Sequence, residues 1–213
     1  MRSWLRPLFV ALSLTTFACS AQTGAFKEGE HYKKVREAQS TPDPKRILVE
    51  EIFWYGCGHC FAFDPIIKTW AASKPADVDF VQIPTSLGYP HGVLHQKAFY
   101  TAESLKLFDK VHKPLFEAIH VQRQAMNTEA QISSLFVARS GVLPDVFAGT
   151  FNGFAVDAQV RRADQRTKAY GISSVPTIVV NGQYYTSAPM AGGFEQMLQV
   201  VNQLIEQARK ARS

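Results

Sequence analysis

The spacing of apolar positions changes several times along the chain, and each change marks an element. RILVEEIFWY at 46–55 is continuously apolar except for two adjacent glutamates, which predicts a strand buried on both faces. Gly56 ends it, and a helix is predicted from Cys57 through FAFDPIIKTWAAS, with a kink at Pro65. VDFVQIPT at 78–85 is a second strand, and HYKKV at 31–35 an edge strand. Thr41, Pro42, Asp43 and Pro44 form a turn. From about Gly92 to Tyr170 no strand pattern occurs. LHQKAFYTAESL, VHKPLFEAIH, TEAQISSLFVARSG and FAVDAQVRRADQRTKAY instead repeat apolar residues every three to four positions. Thr128, followed by Glu129 and Gln131, is a capped helix start, and Gly141 a stop. PTIVV and QYYTS flank Asn181-Gly182, a strong hairpin signal, and FEQMLQVVNQLIEQARK closes the chain as an amphipathic helix.

The first unit is therefore β-α-β and the last β-β-α. Both pack into one mixed central sheet with helices on its faces, giving an α/β class. The block at about 92–170 is then an all-helical insertion between the halves. At 213 residues and 46% hydrophobic, the chain suffices for one good-sized domain with its insertion. No internal repeat or low-complexity segment is visible.

The first 21 residues stand apart. Arg2 and Arg6 precede an apolar run from Leu8 to about Ala18, followed by small residues, the layout of a secretory signal peptide. The run is short for a membrane span. Cleavage near Ala21 makes 22–213 the mature domain and removes Cys19. A competing lipoprotein reading keeps Cys19 as a lipidated first residue, with the bulky Phe17 counting against it. Either route exports the protein, which favours disulfides, and the periplasm is the expected compartment. The formal charge of +5 falls to +3 without Arg2 and Arg6, too mild a balance to argue for nucleic acid. Arg209, Lys210 and Arg212 fit the C-terminus of the last helix by complementing its dipole.

Chemistry concentrates in WYGCGHC at 54–60. Zinc would need a second ligand pair, and only His91 and His95, four residues apart, offer one; they read better as ordinary surface or partly buried residues. A structural disulfide between Cys57 and Cys60 would close a tiny loop and constrain little. A redox pair fits the spacing. Cys57 falls at the start of a helix that follows a strand, where unpaired backbone N–H groups and the helix dipole favour a thiolate. Cys60 lies one turn further in, within reach of Cys57 and more buried. His59 adds a donor or partial positive charge beside the thiolate.

Glu51 six residues before the first cysteine, C-x-x-C, Pro65 eight residues after it, and Val175-Pro176 before a strand together resemble the thioredoxin superfamily. The helical insertion, the exported precursor, the histidine of C-x-H-C and the ending GISSVPTIVVNGQYYTSAPMAGGFEQMLQVVNQLI resemble its periplasmic DsbA-type thiol:disulfide oxidoreductases. That resemblance implies a thioredoxin fold and an enzyme that donates the Cys57–Cys60 disulfide to newly exported proteins with free thiols. It implies Glu51 as proton acceptor for Cys60, with Glu50 on the opposite face, solvated or paired. It implies a cis bond before Pro176, with Val175 and Pro176 facing the substrate. No cofactor or metal is implied; a membrane partner of the DsbB type would reoxidise the enzyme, which acts as a monomer. Gly58-His59 departs from the Pro-His of the best-known members and leaves the strength of the oxidant open. A disulfide isomerase or reductase, and a chaperone-like periplasmic binding protein, are the alternatives; thiol titration separates the last, because only the enzyme needs an acidic Cys57.

Overall fold

In the computed structural model, which describes residues 26–212, the elements run β1 (Lys33–Lys34), β2 (Ile47–Phe53), α1 (Gly58–Ser73), β3 (Val78–Pro84), then α2 (Pro90–Ser104), α3 (Phe108–His120), α4 (Glu129–Ser140), α5 (Pro144–Phe151) and α6 (Phe154–Tyr170), and finally β4 (Thr177–Val180), β5 (Tyr184–Ser187), α7 (Ala188–Ala191) and α8 (Phe194–Lys210). The signal-peptide and Cys19 readings fall outside the described residues. The strands form one mixed sheet in the order β1-β5-β4-β2-β3, in which β2 and β3 are parallel and the other neighbours antiparallel. Helices α2–α6 all fall between β3 and β4, where the helical insertion was expected.

Side chains of β2, which lies between β4 and β3, alternate between two cores from Ile47 to Ile52, as a period of two requires. Ile47 and Val49 pack with Phe63 and Ile67 of α1 and with Met197, Val200 and Leu204 of α8. Ile52 joins a second core with Phe99, Phe116, Phe136 and Phe147 from the helical block. This alternation sends Glu51 toward α1 and Glu50 toward α6. Both are 1% exposed, so β2 is buried at every position and the two glutamates are no exception.

Local signals account for most boundaries. The Thr128 hydroxyl accepts from Gln131 N–H at 3.3 Å, and Gly141 ends α4 with φ 74°. Asn181 and Gly182 carry φ of 53° and 65°, the left-handed pair a tight hairpin needs. Three expectations change. Helix α5 starts on Pro144 and spans two turns, too short to show a period, and α7 is shorter still. The terminal arginines do more than face a dipole. Arg209 binds Asp77 through two bonds of 2.7 and 2.8 Å, and Arg212 reaches the Arg46 carbonyl and Asn181, tying α8 to the sheet.

Candidate active site

Cys57 is the N-cap of α1, with extended φ of −92° and ψ of 116°. Its Sγ accepts the backbone N–H of Cys60 at 3.4 Å, so sulfur takes the place of the usual capping oxygen. No acidic residue occupies the first turn of α1, which leaves the N-terminal field to the thiolate. Both cysteines are free thiols; Cys57 is half-buried and Cys60 1% exposed. The Cys57 thiol is lowered to about 6, first by the hydrogen bond from the Cys60 thiol; burial opposes this, and the Cys60 and His59 backbone N–H groups and the His59 charge add to it. Burial, then the Cys57 sulfur itself, drives Cys60 strongly the other way, so one proton is released readily and the other is held.

The turn before α1 depends on Gly56. A Cβ there would lie 2.3 Å from the Trp54 ring, which folds back over this position. Gly58 is different: a Cβ would meet nothing within 4 Å, so packing does not demand glycine between the cysteines. His59 points outward and is exposed.

On the opposite wall the Val175 carbonyl lies 3.5 Å from Cys57 Sγ, and the Val175–Pro176 bond is cis. His59, Val175 and Pro176 line a cavity of about 180 Å³ with Ala188, Pro189 and Phe194. It is largely apolar, opens beside the reactive sulfur and places a backbone carbonyl within reach of an entering chain.

The two glutamates have separate tasks. Glu51 accepts from the side-chain amide of Gln82 at 2.8 Å. Burial raises its carboxyl to about 8, and the charge of Asp64 adds to the rise, against the Gln82 bond and the charge of Lys68. Glu50 is paired, with Arg166 and with the Tyr170 hydroxyl.

His91 and His95 keep their rings edge-to-face at 6.0 Å, but His95 is fully buried where a surface or partly buried residue was expected. His95 is 2% exposed; its Nδ1 accepts the Trp54 indole N–H at 3.0 Å, and its Nε2–H donates to the Met126 carbonyl at 3.0 Å. Burial lowers it to about 4, so it is a neutral core residue. Trp54 stacks on Tyr89 at 5.2 Å. Among the described residues no group of three or more His, Cys, Asp or Glu side chains is placed to hold a metal ion.

Sequence reading missed three histidine contacts to this segment. Besides His95, His112 bonds Tyr55 and Asp64, and His120 donates to the Tyr55 carbonyl at 2.7 Å while stacking on Phe61. Their partners lie 41 to 65 residues away in the chain, and no local pattern announces such pairs.

Residues 91–204 match the family model of the DSBA-like thioredoxin domain. The chain is 36% identical to the thiol:disulfide interchange protein DsbA of Pseudomonas aeruginosa, over 99% of both chains. This chain belongs to the DsbA family. The DsbA of Pseudomonas syringae is 37% identical over 97% of this chain and 98% of its own. The crystal structure of the P. aeruginosa DsbA superposes with a TM-score of 0.82 at 37% identity, covering 88% of this chain and 96% of the other. That of the Xylella fastidiosa DsbA gives 0.78 at 30% identity over 85% and 97%. The mixed sheet with its helical insertion is thus a DsbA-type thioredoxin fold, and the C-x-x-C at the start of α1 sits in a DsbA-family thiol:disulfide oxidoreductase.

Proposed function

We propose that the protein works as an oxidase, passing a Cys57–Cys60 disulfide to pairs of thiols in exported proteins. The observation that carries this is the asymmetry of the two thiols: Cys57 at the helix N-cap is lowered to about 6, while Cys60, one turn inside, is pushed far the other way. A thiolate stabilised in the reduced protein makes the reduced form favourable, and the disulfide correspondingly oxidising.

The exchange begins with a substrate thiolate attacking Cys57 Sγ. The Cys57–Cys60 bond breaks and Cys60 leaves as a thiolate, which takes a proton from Glu51. A second substrate thiolate then attacks the substrate sulfur of the mixed disulfide; the substrate leaves oxidised and Cys57 leaves as a thiolate. Two electrons have entered the enzyme and one proton has moved within it, from Glu51 to Cys60, to be replaced on Glu51 from solvent; Cys57 remains ionised near neutrality. Val175 and Pro176 support the entering chain through the carbonyl beside Cys57 and the apolar wall below it. His59 contributes its backbone N–H and charge to the Cys57 thiolate. Reoxidation by a membrane protein of the DsbB type, a monomeric state and a periplasmic location complete the reading; among the described residues no helix is long and apolar enough to cross a membrane.

The test is stoichiometric transfer. Oxidised protein mixed with a reduced, unfolded two-thiol substrate should lose its own disulfide as the substrate gains one. Cys57→Ser should abolish transfer, and Cys60→Ser should trap mixed disulfides. Wild-type transfer by the Cys57 variant, or none by the native protein, would refute the proposal. Rapid rearrangement of a scrambled multi-disulfide substrate, without net transfer, would favour the isomerase reading.

A further inference from the structure

A buried polar chain crosses from the helical block into the active-site helix. The Tyr55 hydroxyl lies 2.7 Å from His112 Nδ1, His112 Nε2 lies 2.8 Å from Asp64 Oδ1, and Lys68 Nζ lies 2.9 Å from Asp64 Oδ2. Tyr55 and His112 are each 1% exposed and Asp64 7%. One arrangement of protons satisfies every group. Tyr55 O–H donates to Nδ1, the neutral imidazole donates Nε2–H to the Asp64 carboxylate, and the ammonium of Lys68 neutralises the other oxygen. Buried donors and acceptors this close, all satisfied, hold a single geometry.

The location gives the chain its consequence. Cys60 and Asp64 stand four residues apart on the buried face of α1, the face that covers the Glu51 side of β2. Asp64 is therefore a fixed negative charge beside the two groups that exchange a proton. We propose that His112 is a positioning residue for the exchange reaction: reaching in from the helical block, it fixes the Asp64 carboxylate beneath the active-site helix and through it governs how tightly Glu51 holds its proton. This rests on the role of Glu51 set out above and extends it to a residue of the insertion.

The surroundings support the direction. Asp64's charge raises Glu51's affinity for a proton, and Lys68 opposes it. Burial works against ionised Asp64, but the His112 bond, together with the bond and charge of Lys68, outweighs it and holds the carboxyl below its ordinary range. Burial lowers His112, consistent with the neutral ring, against the pull of Asp64; Lys68 and Asp109 also act on it. Cys60 and Gln82 complete the groups facing Glu51, and Lys113 faces Asp64 from α3.

The step to watch is closure of the disulfide from a glutathione adduct on Cys57. The Cys60 thiol gives its proton to ionised Glu51, its sulfur attacks Cys57 Sγ, the Cys57–glutathione bond breaks, and the glutathione thiolate leaves to be protonated by solvent. Release of glutathione against pH reads the proton acceptor. The native protein should show a midpoint near the value of about 8 for Glu51. Asp64→Asn should move it to lower pH by about half a unit or more, since the neighbouring negative charge is gone. His112→Phe should move it the same way, because an unheld Asp64 turns toward Lys68 and solvent; the double variant should shift no further than Asp64→Asn alone. His112→Gln, whose amide N–H stands near the lost Nε2–H, should restore most of the native midpoint. Native midpoints in Asp64→Asn, or additive shifts in the double variant, would overturn the inference, and the isosteric Asn variant decides it even if His112→Phe does not fold. A native adduct that releases no glutathione at any pH would instead overturn the oxidase reading.

Discussion

Glu51 and Glu50 are neighbours with opposite energetics. Glu51 is buried without a cation bonded to it, and its folded carboxyl is raised from 4.5 to about 8. An acid raised on folding prefers the protonated form in the native state. Stability from it is full below the ordinary value and declines as pH rises from about 4.5 toward 8. At about 1.4 kcal/mol for each pH unit, the cost at pH 7 is roughly 3 kcal/mol. Glu51→Gln should therefore raise the stability of the reduced protein by about that amount at pH 7 and change little at pH 4, while slowing transfer. Thermal melts at the two pH values, with transfer rates alongside, check this; equal effects at both would mean the burial penalty is absent. Glu50→Gln should do the reverse. It leaves Arg166, one of whose nitrogens already lacks a partner, facing a neutral amide, and should cost about 2 kcal/mol with transfer unchanged. The sequence places the two on opposite faces by strand period alone, but not the burial of Glu50. Its partners Arg166 and Tyr170 come from α6, more than a hundred residues on.

At the scale of elements, boundaries written in local chemistry were legible and those set by tertiary packing were not. The capped start at Thr128, the stop at Gly141, the hairpin at Asn181-Gly182 and the strand-to-helix turn before Cys57 each need a residue type that only a few positions supply. The two-turn α5 needs only a proline and a hydrophobic surface to lie on, which leaves too short a trace. Gly182 shows how strong the local demand is. Beyond its φ of 65°, a Cβ there would stand 2.1 Å from the Gln39 carbonyl oxygen of the segment before β2. Gly182→Ala should lower stability by at least about 2 kcal/mol, measured by denaturant unfolding, without altering the Cys57 thiol. A neutral substitution would mean the hairpin shifts freely away from Gln39.

Across the molecule, the sheet places the cysteines and the helical block holds the segment that carries them. His95 fixes Trp54, His112 fixes Tyr55 and Asp64, and His120 fixes the Tyr55 backbone. The C-x-x-C spacing put the reactive pair forward, and the family resemblance put forward Glu51 and the Val175-Pro176 wall as candidates. They could not show that the insertion completes the site, because each of those bonds joins residues distant in the chain. The claim on which the whole account turns is the division of labour between the two thiols, and alkylation of the reduced protein across pH, with the modified cysteine assigned by mass spectrometry, tests it most directly. Cys57 should be modified with a midpoint near 6 while Cys60 stays protected up to alkaline pH in the folded protein. Labelling of Cys60 first, or of Cys57 only above about pH 8 as an ordinary thiol would behave, would contradict it.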